Sequence, residues 1–152
     1  MTKETFVEFI EKYSDTMYRV AISILRNEED CRDVLQDSVL KAWEKRATLK
    51  DESSFKPWLI RIVVNNCNNT LRKRRRIVAI DDIPEPSVPP PDPALRAALQ
   101  SLPDNLRLPL VLVCSEGMSY AEAAQAMHIP VGAVRGRIHR AKKLLRKELC
   151  EE

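Results

Sequence analysis

The sequence predicts an all-α protein: two small helical domains joined by a proline-rich, acidic linker, the second domain carrying a helix-turn-helix. Three observations lead there. The 152 residues include only three glycines and 5% aromatics, and no run alternates Val, Thr and aromatic residues between turn residues as strands do. Apolar residues recur instead at three- and four-residue steps, the period of a helix with one buried face. Residues 77–93, IVAIDDIPEPSVPPPDP, hold six prolines and four acids. A helix cannot continue through them, and such a composition favours an extended, semi-stiff chain. The expected boundaries are therefore 1–77, a linker over 78–93, and 94–152.

A first helix is expected from about Lys3 to Arg26, where Phe6, Phe9, Ile10, Tyr13, Met17, Val20, Ile24 and Leu25 keep helical spacing and Asn27 breaks it. A second runs from about Glu28 to Arg46. Its first turn holds Glu28, Glu29 and Asp30, where the helix dipole favours acids. Its apolar stripe is Cys31, Val34, Leu35, Val39, Ala42 and Trp43. After the polar loop KDESS, Ser54 is placed to cap a third helix from Phe55 to about Arg75. Pro57 is tolerated in its first turn, and Phe55, Trp58, Leu59, Ile62, Val63 and Leu71 face inward. In the second domain a short helix is expected from Ala94 to Leu102. Another follows from Asp104 to about Glu116, bent by Pro109 and stopped by Gly117. SYAEAAQAM opens on Ser119 with Glu122 three residues on, a capping-box pattern. The turn HIP then leads to VGAVRGRIHRAKKLLRKEL, a long basic helix with Pro130 at its first position.

The net charge of +3 is modest but unevenly spread: residues 61–76 carry six Lys/Arg and no acid, residues 77–104 five acids and one Arg, and residues 105–152 eight bases and five acids. Two basic regions around an acidic one suggest two contacts with a polyanion. A pair of solvated helix faces would show the same pattern. The four cysteines, Cys31, Cys67, Cys114 and Cys150, form no CxxC pair, so they support reduced thiols rather than a zinc or redox site. The charged N-terminus has no apolar signal-peptide core, and no apolar run reaches the roughly 18–20 residues of a membrane span. A soluble, intracellular protein is expected. No carboxylate set, nucleophile–histidine pair or phosphate-binding glycine loop stands out, which speaks against an enzyme, and no metal or cofactor is expected.

The last two helices carry the sharpest signal. With Ala123, Ala124, Met127, Ile129, Val134, Ile138, Ala141 and Leu145 buried, the other face shows Val131, Gly132, Arg135, Gly136, His139, Arg140 and Lys143. Ser119 at the cap and Arg137 complete the candidate DNA-contacting set. That face is cationic and slim near its start, as a helix entering the major groove must be, and arginine is the usual reader of guanine edges. The glycines cost about 1 kcal/mol each in helix propensity, which close approach to DNA would explain. An ordinary basic helical hairpin is the competing reading.

The stretch IVVNNCNNTLRKRRR raises a second question. In a helix Asn65, Asn68 and Asn69 share roughly one face, while Asn66 follows the buried stripe. An amide offers both a donor and an acceptor, which unpaired base edges can satisfy. Arg72, Lys73, Arg74 and Arg75 would supply phosphate contacts. Amides with cations suit an opened strand better than a closed duplex; a polar helix end with a basic stop would read the same. On the second helix Asp33, Gln36, Asp37, Lys41 and Glu44 form a polar stripe with acids leading. It is either a docking surface or a solvated face.

Taken together, EDCRDVLQDSVLKAW (29–43), SSFKPWLIRIVVNN (53–66), LPDNLRLPLVLVCSEGMSYAEAAQAM (102–127) and VGAVRGRIHRAKKLL (131–145) resemble the two-domain extracytoplasmic-function sigma factors of bacteria, in order and spacing. The resemblance implies that Asp33, Gln36 and Asp37 dock on the clamp helices of RNA polymerase core. It implies that the loop with Leu49, Lys50, Ser53 and Ser54, and the helix with Asn65, capture flipped bases of the promoter's minus-ten element. The basic helix would read the minus-thirty-five duplex through Arg135, Gly136 and Arg140, and the linker would thread near the RNA exit path. Residues 1–77 thus correspond to sigma region 2 and 94–152 to region 4. The implied partners are polymerase core, promoter DNA as duplex and as melted strand, and an anti-sigma factor anchored in the membrane that holds this cytoplasmic protein inactive. Two residues depart from the family pattern: Gly136 stands where serine is common, and His128 replaces the glycine of the turn. A stand-alone helix-turn-helix regulator would explain residues 119–147 but leave 28–76 unused.

Overall fold

The computed structural model describes residues 1–77 and 93–150, the side chains of 75–77, 93, 95, 96 and 150 excepted. The expected linker therefore lies outside the described residues, save Pro93, which opens a helix. The chain divides into two compact units, Met1–Glu85 and Pro86–Glu152, and every described element is helical.

In the first unit, α1 (Lys3–Lys12) and α2 (Ser14–Leu25) replace the single expected helix. The break at Tyr13 has a local cause. The Ser14 hydroxyl donates to the Glu11 carbonyl at 3.0 Å, the side-chain competition that makes serine a poor helix-interior residue. At the other end, Arg26 rather than Asn27 stops α2, in a left-handed conformation with φ 54°. Asn27 instead starts α3 (Glu28–Glu44), its side chain accepting from the Asp30 N–H at 3.0 Å. Two 3₁₀ turns, Arg46–Thr48 and Glu52–Ser54, lead into α4 (Phe55–Ile77). Ser54 does not cap α4. The preceding turn takes that role, with the Asp51 carboxylate accepting from the Ser53 N–H at 3.0 Å.

The core of this unit is a three-helix wedge. Met17, Val20, Ala21 and Leu25 of α2 and Cys31, Val34 and Ala42 of α3 close on Phe55, Leu59, Ile60, Val63, Val64 and Cys67 of α4, all buried. Phe6 of α1 seals one end, edge-on to the rings of Trp43 at 5.1 Å and Phe55 at 6.1 Å. Trp58 and Ile62 are only half-buried, and the inward face of α4 includes Ile60 and Val64 in addition.

The second unit runs α5 (Pro93–Ser101), α6 (Asp104–Leu110), a π-helical stretch (Val111–Ser115), α7 (Tyr120–Met127) and α8 (Val131–Cys150). Pro109 lacks the N–H that would continue the α ladder. The helix widens just beyond it, so that the Glu116 N–H reaches back to the Val111 carbonyl at 3.0 Å. Gly117 then turns the chain with φ 69°, where a side chain would be strained. The carbonyls at the end of α5 meet one buried cation. Arg107, 6% exposed, donates to Leu99 O at 2.9 Å, Gln100 O at 3.2 Å and Leu102 O at 2.6 Å, and to Asp104 Oδ1 at 2.6 Å. One guanidinium thus satisfies acceptors that a helix end leaves open. Arg107→Met is expected to lower the unfolding free energy of the second unit by about 3 kcal/mol, because those carbonyls lose their donor. Arg107→Lys should lose most of the same stability, since an ammonium has no planar fork. Urea unfolding of the full chain followed by circular dichroism checks both, and unchanged midpoints would contradict the capping role.

Candidate functional site

The helix-turn-helix is α7, its turn and α8. Ser119 accepts from the Glu122 N–H at 3.0 Å while Glu122 accepts from the Ser119 N–H at 2.9 Å, a complete capping box. Residue 128 takes φ 62° and ψ 39°. The His128 N–H bonds to Gln125 O at 3.4 Å and the Ile129 N–H to Ala124 O at 3.1 Å, the paired bonds of a Schellman ending. Histidine thus adopts the left-handed turn that glycine adopts more easily. Pro130 precedes α8 as its cap rather than its first residue, its carbonyl accepting from the Ala133 and Val134 N–H groups.

The second helix presents the expected face. Gly132, Arg135, His139, Arg140 and Lys143 are exposed and Gly136 half-buried, opposite buried Val134, Ile138 and Ala141. Val131 is half-buried at the start. Arg137 is also half-buried, and by helical spacing it sits on the flank rather than on this face. The Ser119 hydroxyl is engaged in the cap. Arg135 lies over the Tyr120 ring at 5.9 Å, which orients it toward the same end of α8.

In the first unit α4 divides its amides. Asn65, Asn68 and Asn69 are exposed with Arg72 and Lys73, while Asn66 is 6% exposed. The Asn66 Nδ2 donates to Ser38 Oγ at 2.9 Å, and its Oδ1 accepts from Lys41 Nζ at 2.7 Å. The buried amide therefore ties α4 to α3. Arg74 leaves the cationic cluster. Its guanidinium pairs with Asp30 and donates to the Leu25 carbonyl at 3.3 Å, and burial lowers its pKa from the usual arginine value. The sequence held that signal: Arg74 follows buried Cys67 by two helical turns. The side chain of Arg75 lies outside the described residues. Arg61, half-buried one turn before Asn65 on the same side of α4, is a cation that the sequence reading passed over.

The loop before α4 is held to the first turn of that helix. Leu49 is half-buried, and Lys50, Ser53 and Ser54 are exposed. Trp58 Nε1 donates to Thr48 Oγ1 at 3.2 Å and the Arg46 guanidinium stacks on Trp43 at 3.8 Å, which anchors the loop's first turn to both tryptophans. The Asp51 carboxyl is held below its usual range by the backbone and then the side-chain hydrogen bond from Ser53.

On α3, Asp33, Gln36, Asp37 and Glu44 are exposed. Leu40 stands among them 61% exposed, an apolar centre to an acidic stripe that the apolar periodicity left unassigned. The two buried thiols offer no competing chemistry. Burial pushes Cys31 up to about 11 and raises Cys67 as well, so both stay protonated at neutral pH and lack the reactive thiolate. No cluster of His, Cys, Asp and Glu able to hold a metal occurs among the described residues, and none of their helices is long and apolar enough to cross a membrane.

The fold is that of an all-α chain with an amide-and-cation face in one unit and a capped, basic helix-turn-helix in the other. Residues 9–77 match the family model for sigma-70 region 2, and residues 93–145 that for sigma-70 region 4. The ECF RNA polymerase sigma-E factor of Salmonella typhimurium is 32% identical over 76% of this chain and 72% of its own length. SigE of Mycolicibacterium smegmatis is 31% identical over 95% of this chain, which spans 61% of that relative's length. SigW of Bacillus subtilis is 26% identical over 97% of this chain and 90% of the relative. Among solved structures, the sigma factor RpoE in complex with the anti-sigma factor NepR from Bartonella quintana matches with a TM-score of 0.79 at 25% identity, covering 96% of this chain and 97% of that one. CnrH in complex with the cytosolic domain of CnrY matches with a TM-score of 0.74 at 25% identity, covering 99% and 91%. The chain belongs to the extracytoplasmic-function sigma factors of the sigma-70 family.

The cations of α4 are separable by experiment. Arg72→Ala and Lys73→Ala should each reduce the log–log salt slope of promoter-strand binding by about 0.7. Arg74→Ala should leave the slope alone and lower the melting temperature instead. A slope change on Arg74→Ala equal to that of its neighbours would contradict the internal placement.

Proposed function

We propose that this chain is a dissociable sigma subunit that binds RNA polymerase core, directs it to promoters and helps to part the strands, while catalysing no reaction itself. The observation that carries the reading is that one small unit shows two chemically different faces. An acidic stripe with an apolar centre lies on α3, and outward amides with cations lie on α4. The first face suits a basic protein surface. The second suits bases that have left the duplex, whose edges accept and donate together.

In this reading Asp33, Gln36 and Asp37 dock on core. Leu49, Lys50, Ser53, Ser54, Asn65, Asn68 and Asn69 take the unpaired minus-ten bases, and Arg72 and Lys73 take the backbone. The face with Gly132, Arg135, Gly136, His139, Arg140 and Lys143 enters the minus-thirty-five major groove, its N-terminal end bracing the bases. Strand parting is driven by trapping: each base held outside the duplex by an amide shifts the paired–unpaired equilibrium toward the open strand. One of the similar solved structures is a sigma factor in complex with an anti-sigma factor, which supports an anti-sigma partner for this chain; in this reading that partner holds the protein inactive in the cytoplasm from an anchor in the membrane.

Mixing the chain with core polymerase and a library of promoter DNA tests the function directly. Initiated transcripts that share an upstream motif are expected, and DNA binding without initiation would contradict the reading. Asp33→Arg combined with Asp37→Arg is expected to weaken core binding by about a hundredfold, since like charges then face each other. The circular dichroism spectrum should not change, because both residues are exposed.

A further inference from the structure

Lys41 stands one turn after Asp37 on α3, acid first, the order that most favours an i,i+4 ion pair. No such pair forms, and neither Asp33 nor Asp37 has an ion pair among the described residues. The Lys41 ammonium reaches instead across to α4, 2.7 Å from Asn66 Oδ1. Lys41 sits at the seam of α3, between the buried face of Ser38, 0% exposed, and the acidic stripe. Its long stem can serve either side. The amide wins because it is buried: an unanswered acceptor there costs more than an exposed ion pair returns.

We infer that Asn66 is a positioning residue for polymerase docking, because it holds Lys41 away from Asp37 and so leaves the docking face its full negative charge. This rests on the assignment of Asp33 and Asp37 to core binding. Without the amide oxygen Lys41 relaxes onto Asp37 and neutralises part of the field that steers a basic partner.

The test is a mutant cycle on the full chain, read as its association with core polymerase at low salt. Asn66→Ala should weaken association roughly two- to fivefold, the scale of one exposed charge pair. In a Lys41→Met background the same substitution should have no effect, since no ammonium is left to relocate. A merely structural role would give an equal loss in both backgrounds. That result, or no loss in the wild-type background, overturns the inference. Where Asn66→Ala fails to fold, Asn66→Thr replaces it, with the same expectations: threonine keeps a hydroxyl for Ser38 but is too short to hold Lys41. Asp33→Arg with Asp37→Arg is run alongside. A loss there without a loss on Asn66→Ala overturns this inference alone; no loss in either overturns the docking assignment and the inference with it.

Discussion

One buried amide sets the direction in which α4 faces. Four asparagines occupy positions 65, 66, 68 and 69, and a small rotation of the helix would bury a different one. Only Asn66 meets both a hydroxyl and an ammonium across the interface, from Ser38 and Lys41. Any other asparagine turned inward would leave donors and acceptors unanswered, at about 1–3 kcal/mol. The rotation of α4 is thus fixed by satisfaction of polar groups as well as by Leu59, Ile60, Val63 and Val64. The outward faces follow from it: Asn65, Asn68, Asn69 and Arg72 go to solvent, and Arg74 goes in to Asp30 and the Leu25 carbonyl.

The second unit solves a different problem. In the proposed function α8 needs a slim, cationic face, and glycines at 132 and 136 weaken the helix that carries it. The compensation lies around it. The capping box of Ser119 and Glu122 and the Schellman turn at His128 close both ends of α7, and the buried cation Arg107 closes the end of α5. A short helix is marginal unless its ends and its apolar face are held, so the cationic face of α8 depends on caps as much as on the core beneath it.

Much of this was legible because helical periodicity maps directly onto burial. The stripe through Phe55, Leu59 and Val63, the inward turn of Asn66 and the opposed faces of α8 all follow from 3.6 residues per turn. What failed was local or long-range. Ser14 split the first helix through a side-chain bond that competes with the ladder, and Asp51 displaced Ser54 as the cap because a 3₁₀ turn intervened. The charge of its neighbours suggests an outward Arg74, whereas its spacing from Cys67 turns it inward. The bond from Lys41 to Asn66 spans 25 residues, and no spacing rule reaches that far. Leu40 is hard to place for a different reason: an exposed leucine carries no periodic signal, and only the surrounding acids give it meaning.

In the proposed function the outward amides of α4 hold bases that have left the duplex. The most direct measurement is strand opening on a linear promoter, read by the permanganate reactivity of minus-ten thymines with polymerase carrying either the wild-type chain or Asn65→Ala. Reduced reactivity at unchanged occupancy of core by the chain is the result expected. Equal reactivity for the two proteins would contradict the account, because α3 would then be holding polymerase without the amides of α4 touching the opened strand.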